Sequence, residues 1–148
     1  MNIKYKSDSS VHGELEYWQL PTETLELRSG DCEDFAILLC TMLRAMKVYD
    51  YQIHDYRDGL PTDMVYVMVG EDAQGNRHAY LAVSWFSGSF FWKSRGYRTD
   101  FRVIEPQLGG FIILSDLANL EIALRFTSLY AFNDVYYLNS DEIKALPW

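Results

Sequence analysis

Apolar residues recur at three- and four-residue steps from Phe35 to Met46 (Phe35, Leu38, Leu39, Met42, Leu43, Met46), a spacing that predicts an amphipathic helix with a broad buried face. Asp31 stands before this run as an N-cap, and Asp34 three residues on completes a capping box with Asp in place of the usual Glu. Ser29 and Gly30 stop a shorter preceding helix, Thr22 to Leu27, with Thr22 expected as its cap. The pattern then changes period. The Tyr-rich stretch Val48 to Tyr56 and the run Asp63 to Val69 read as strands. Glu71 to Asn76 reads as a hairpin loop with Gly75-Asn76 at its tip, and the chain returns over His78 to Trp85. Phe86 to Tyr97, rich in Gly, Ser and aromatics, is expected as an irregular loop. Phe101 to Glu105 is a short strand that Pro106 ends. Leu114 to Tyr130 is expected as a second amphipathic helix capped by Ser115, Val135 to Leu138 as an edge strand, and Ser140 to Leu146 as a last helical turn. Met1 to Glu16 is polar and aperiodic, a loose arm with one turn of helix. Helix, antiparallel strands, then helix is the order of an α+β fold, with a sheet packed on the helix that begins at Cys32 and a single domain over residues 1–148.

Composition narrows the function classes. Hydrophobic residues make up 49% of the 148, enough for a core of its own. The net charge of −8, with basic residues scattered, argues against a nucleic-acid surface. No apolar run approaches the roughly 18 residues of a membrane span, and the first residues show no signal-peptide pattern. Cys32 and Cys40 fall eight residues apart on one predicted helix. That is a rise of about 12 Å, against the roughly 7 Å a disulfide tolerates between Cα atoms. Both are expected as free thiols, Cys40 as a small core residue. Free thiols fit the cytoplasm; a soluble domain of a secreted or periplasmic protein is the alternative.

Chemistry converges on Cys32, in Ser29-Gly30-Asp31-Cys32-Glu33-Asp34-Phe35. A sulfur in the first turn of a helix meets unpaired backbone N–H groups and the positive end of the helix dipole, which favour a thiolate. Asp31, Glu33 and Asp34 act in the opposite sense, because like charge raises a thiol pKa; a protonated imidazole beside the sulfur would offset them. A cysteine nucleophile needs such a base, and the base needs an orienting partner. Of the three histidines, His12 is expected in the exposed arm and His54 as a surface or structural residue. His78 opens a strand after a tight loop, where it can project toward a helix start. Glu105 ends the next strand and is the candidate orienting acid. No zinc spacing accompanies either cysteine.

These segments carry a resemblance. Tyr17-Trp18-Gln19-Leu20-Pro21, Gly30-Asp31-Cys32-Glu33-Asp34-Phe35-Ala36-Ile37-Leu38-Leu39, His78-Ala79-Tyr80 and Ile104-Glu105-Pro106 resemble the transglutaminase-like cysteine-enzyme superfamily, prokaryotic members above all. The resemblance spans Tyr17 to Pro106. It implies a papain-like α+β fold and a triad of Cys32 as nucleophile, His78 as general base and acid, and Glu105 as orienting acid where the family usually has Asp. It further implies acyl transfer on a protein or peptide substrate. The Cys32 N–H, with Trp18 or Gln19, is the candidate oxyanion or groove element. Hydrolysis of peptide or carboxamide bonds is the expected reaction. Glutamine crosslinking or deamidation is one alternative, and a non-catalytic peptide-binding module is another. Related periplasmic proteases bind calcium through acids flanking the cysteine. Here Ser29 replaces one of those acids, so Asp31 and Glu33 are expected as helix-capping acids, with no metal and no cofactor.

Overall fold

The computed structural model describes residues 3–13, 16–50, 54–84, 101–108 and 124–146. Strand β1 (Lys4–Tyr5) pairs in parallel with β2 (Ser29–Gly30), which feeds directly into the long helix. Between them lie α1 (Asp8–Val11), the expected helical turn, and α2 (Pro21–Leu27). The N-cap of α2 is Leu20 rather than Thr22: Pro21 takes the first helical position, where its fixed φ is already helical and its missing N–H costs nothing. Helix α3 (Cys32–Ala45) has Asp31 as N-cap and the capping box with Asp34, as the sequence predicts.

The main sheet has five strands in the order β7-β6-β5-β8-β9: β5 (Val65–Glu71), β6 (Arg77–Val83), β7 (Arg102–Ile104), β8 (Thr127–Phe132) and β9 (Tyr137–Asn139). Every pairing within it is antiparallel. A shift of register between Val69 and Gly70 marks a bulge where β5 meets β8, and on its other side Gly70 stands opposite His78. The fold is therefore α+β as expected. Both central strands are buried on both faces, so they read as continuous apolar runs rather than alternating ones. Val65, Val67, Val69, Ala79, Leu81 and Val83 pack under α3. Tyr66, Met68, Tyr80 and Ala82 form the opposite face with Phe101, Val103, Phe126 and Ile143, the last from α4 (Ser140–Lys144).

Three expectations are corrected. The face of α3 that meets the sheet runs through Cys32, Ala36, Cys40 and Leu43, whereas Met42 and Met46 are largely exposed. Small residues at positions 36 and 40 let the helix lie close to the valines of β5, and the bulky periodic positions flank that seam. Val48 to Tyr56 is not one strand but a separate hairpin of β3 (Lys47–Asp50) and β4 (Asp55–Asp58), with His54 at positive φ where the chain enters β4. Of the helix expected over Leu114 to Tyr130, Leu124 and Arg125 are helical, but residues 127–130 belong to β8, where Thr127, Ser128, Leu129 and Tyr130 extend beside β5; residues 114–123 lie outside the described residues. The loop expected over Phe86 to Tyr97 also lies outside them. Among the described residues no helix is long and apolar enough to cross a membrane.

The far end of α3 is tied to the turn between β8 and β9. Arg44 donates Nε to Asp134 Oδ1 at 2.8 Å and a second guanidinium nitrogen to Asp134 Oδ2 at 3.0 Å, and it also reaches the Leu60 carbonyl. Asp134 is largely solvent-exposed, which weakens the pair. Arg44→Ala is expected to lower stability by about 1 kcal/mol, measured as a lower urea midpoint at unchanged m-value.

Candidate active site

The start of α3 is fixed by a buried carboxylate. Asp34 is fully buried and accepts from the Gln19 backbone N–H at 2.8 Å, Gln19 Nε2 at 2.7 Å and the Asp31 N–H at 3.1 Å. Gly30 makes room for it: a Cβ there would lie 2.6 Å from Asp34 Cβ. The segment Trp18-Gln19 is thereby strapped to the turn that bears Cys32. Gln19 uses its side-chain amide in this strap, and Trp18, 42% exposed, stacks on Phe132 with ring centroids 5.5 Å apart.

Cys32 is the first residue of α3, half-buried, and touches the cluster that contains Ala79. The Ala79 backbone N–H, one peptide away from His78, is near enough to the sulfur to favour the thiolate. The thiol proton itself is directed to Glu33, with Sγ 3.0 Å from Oε2. Burial pushes the Cys32 thiol well above its ordinary range. The Glu33 hydrogen bond and the Glu33 charge raise it further, against the lowering effect of the Ala79 N–H. Burial likewise pushes Cys40 up to about 11. Both cysteines are free thiols, as expected.

His78 lies at the start of β6, with its ring against Phe126 at 5.0 Å and Tyr80 at 6.1 Å. Its Nε2 is 2.5 Å from Glu105 Oε2. Glu105 is buried at the end of β7, and its other oxygen accepts from the Gln107 N–H at 2.9 Å, just past Pro106. The sheet thus brings His78 and Glu105 together and sets the Cys32 sulfur beside the next residue, while the thiol's hydrogen bond goes to Glu33. Because Nε2 is engaged by Glu105, Nδ1 is the imidazole nitrogen left for exchange with a thiol. His54 is exposed, as expected. His12 differs from expectation: its ring packs on Tyr17 at 4.1 Å and Nε2 is buried without a hydrogen-bond partner.

Acidic side chains crowd the same helix start. Carboxylates of Asp8, Asp31 and Asp34 lie within 4.8 Å of one another, as do those of Asp8, Glu16 and Glu33, and the set Asp31, Cys32 and Glu33. Burial raises Asp31 to about 7, helped by the facing Glu33 carboxyl, and raises Asp34 to about 6. Asp8 was not singled out from the sequence. It lies more than twenty residues from Asp31, and β1–β2 pairing together with the Tyr17 N–H donated to its carboxylate places it there.

The helix-start cysteine lies over an antiparallel sheet that carries a paired histidine and acid, within an α+β fold. The chain belongs to the transglutaminase-like superfamily, whose family model matches residues 1–92, a stretch with Cys32 and His78 but not Glu105. A search of curated proteins returns no match. Among solved structures, Legionella pneumophila LapG in its calcium-bound form is similar at 17% identity and a TM-score of 0.57, covering 94% of this chain and 62% of that one. A second LapG structure gives 17% identity and a TM-score of 0.58 over 97% and 64%. An EGTA-treated LapG gives 18% identity and a TM-score of 0.55 over 93% and 59%. These likenesses concern the fold, and the chain spans about three fifths of the length of those proteins.

The donor set is one of hard oxygens: Asp8, Glu16, Asp31, Glu33 and Asp34 all offer carboxylates, and Asp31 Oδ1 is buried without a hydrogen-bond partner.

Two outcomes are expected. Glu33→Gln removes the charge that holds the Cys32 proton, so the pH profile of iodoacetamide labelling at Cys32 moves to lower pH, by about one unit. Asp31 has a folded-state pKa raised above that of an unfolded carboxylate, so between about pH 4 and 7 the folded chain keeps a proton the unfolded chain has lost. Stability falls as pH rises through that window. Thermal melts in chelator are expected to show this fall, and Asp31→Asn to flatten it.

Proposed function

We propose that this protein is a thiol-dependent acyl-transfer enzyme that hydrolyses peptide or carboxamide bonds, with Cys32 as nucleophile, His78 as base and then acid, and Glu105 as orienting acid. The observation that carries the reading is the 2.5 Å contact of His78 Nε2 with Glu105 Oε2, on the strand whose next N–H faces the Cys32 sulfur. Membership of the transglutaminase-like superfamily supports it independently.

Chemistry follows from the contacts. Rotation of the Cys32 side chain away from Glu33 brings the thiol proton to His78 Nδ1, and Glu105 stabilises the resulting imidazolium. The thiolate attacks the carbonyl carbon. The Cys32 backbone N–H has no partner within the helix, because it is the first residue of α3, and it supports the oxyanion. His78 returns the proton to the leaving amine, and water releases the acyl group. The exposed face of Trp18 on Phe132 offers an aromatic wall for a protein or peptide substrate. Calcium held by Asp31 and Glu33 would supply positive charge next to acids that otherwise oppose the thiolate.

One observation favours a second reading. The thiol is hydrogen-bonded to Glu33 and its ionisation is opposed by burial, which suits a non-catalytic module that keeps the fold to bind a peptide.

Mutagenesis separates the two. With a peptide or glutamine-amide substrate, Cys32→Ser is expected to abolish turnover, and His78→Ala to reduce kcat by about three orders of magnitude. His78→Ala is further expected to raise the pH needed to alkylate Cys32. An alkylation profile unchanged by His78→Ala, with Cys32 no more reactive than Cys40, would leave the binding module as the function. Release of ammonia that rises with added amine would assign crosslinking in place of hydrolysis.

A further inference from the structure

Gly70 stands opposite His78 across the β5–β6 pair. In an antiparallel pair the facing side chain flanks its neighbour and limits how it can turn; a glycine gives His78 no such neighbour. That space is filled from the other side of β5. The register shift between Val69 and Gly70 brings the start of β8 over the glycine, and Phe126, the residue before β8, has its Cβ 2.8 Å from where a Gly70 Cβ would lie. The Phe126 ring lies against the imidazole, with centroids 5.0 Å apart and planes tilted by 36°.

The ring is itself held. The Arg125 guanidinium lies over it, 5.1 Å from the centroid, where the ring quadrupole attracts a cation. One guanidinium nitrogen donates to Asp72 Oδ2 at 3.4 Å. Asp72 is fixed in the hairpin loop, accepting from the Gln74 N–H at 3.0 Å, the Asn76 N–H at 2.9 Å and Asn76 Nδ2 at 3.1 Å. Hydrogen bonds from the Asn76 side chain, and then from its backbone, hold the Asp72 carboxyl below the usual carboxylate range, so it stays an anion for Arg125.

One hydrogen bond does not orient an imidazole. Glu105 holds Nε2, but the ring can still turn about that contact and carry Nδ1 with it. Proton transfer needs Nδ1 directed at the thiol. We propose that Phe126 is a positioning residue for the His78 imidazole, clamped by Arg125 and Asp72, and that it sets the direction of Nδ1 while Glu105 holds Nε2. The inference rests on the reading of His78 as the base for Cys32. The same ring covers the bond between His78 and the buried Glu105 carboxylate, and a charged hydrogen bond is stronger where water is kept away.

The test uses the full chain with isotope-labelled histidine. Proton NMR is expected to show the His78 Nε2–H, assigned by its loss in His78→Ala, in slow exchange with water. Phe126→Leu and Arg125→Ala are each expected to make that exchange several-fold faster in the native state. Weakened packing alone would lower the melting temperature and leave this proton as it is. With a peptide or glutamine-amide substrate, Phe126→Leu is expected to lower kcat by about tenfold or more at unchanged KM. An exchange rate that either variant leaves unchanged overturns the inference, as does a loss in Phe126→Leu that falls on KM, which would make the ring a substrate contact. Absence of a slowly exchanging His78 N–H in the unmodified chain also overturns it. The Arg125 side chain is 62% exposed, so Arg125→Ala decides the matter even if Phe126→Leu does not fold. Turnover with unchanged exchange in the variants sinks the inference and leaves the acyl-transfer reading standing. A chain without turnover sinks that reading, and the exchange rates then decide alone whether Phe126 fixes the imidazole.

Discussion

Asp34 accepts hydrogen bonds from the Gln19 amide, the Gln19 side chain and the Asp31 amide while its carboxyl group is wholly out of contact with solvent. Those contacts join three things that are separate in the sequence: the approach segment bearing Trp18, the capping turn at Asp31, and the first turn of α3. Hydrogen bonds to a charged acceptor are stronger than neutral ones, and removing a partner from a buried group is costly. The position of the Cys32 sulfur is a consequence of this one buried acid. Gly30 is part of the same arrangement because nothing larger than hydrogen fits against the Asp34 side chain.

The electrostatics at the helix start pull in two directions. Helix-terminal amides and the Ala79 N–H stabilise a thiolate, whereas burial and Glu33 oppose it. In the observed arrangement the second set prevails, so the thiol is protonated and turned to Glu33. His78 and Glu105 are already joined. On the reading proposed above, a resting and a reactive site differ at one cysteine side chain and its acidic neighbour, with the imidazole and its partner in place beforehand.

Much of this was legible in the chain because local physics and tertiary context agree there. The capping acids, the strand at His78 and the stop at Pro106 each rest on short-range chemistry and are where the sequence predicts, and the hairpin loop expected at Glu71 to Asn76 differs only in that Glu71 still pairs with Arg77. The contact seam of α3 was misjudged because periodicity weights large side chains, whereas close approach to a sheet selects small ones, Ala36 and Cys40. The segment Thr127 to Phe132 has residues that suit either period, and the open edge of β5 decided in favour of a strand. The carboxylate of Asp8 could not be read at all. It reaches Asp31 through pairing of two-residue strands far apart in sequence, and such short strands leave no pattern.

The bulge at Gly70 bears on how loss-of-function variants of this fold should be understood. A Cβ at that position would lie 2.8 Å from Phe126 Cβ, and the Phe126 ring is the surface on which the His78 imidazole rests. A side chain there crowds Phe126, the Thr127 carbonyl and the Tyr80 hydroxyl, so it must shift the ring against which the imidazole packs, although residue 70 has no functional group to offer. On the proposed reading, a genetic screen that scores dead clones would therefore rank this glycine beside Cys32, His78 and Glu105. Selection would keep it invariant for a reason of shape alone.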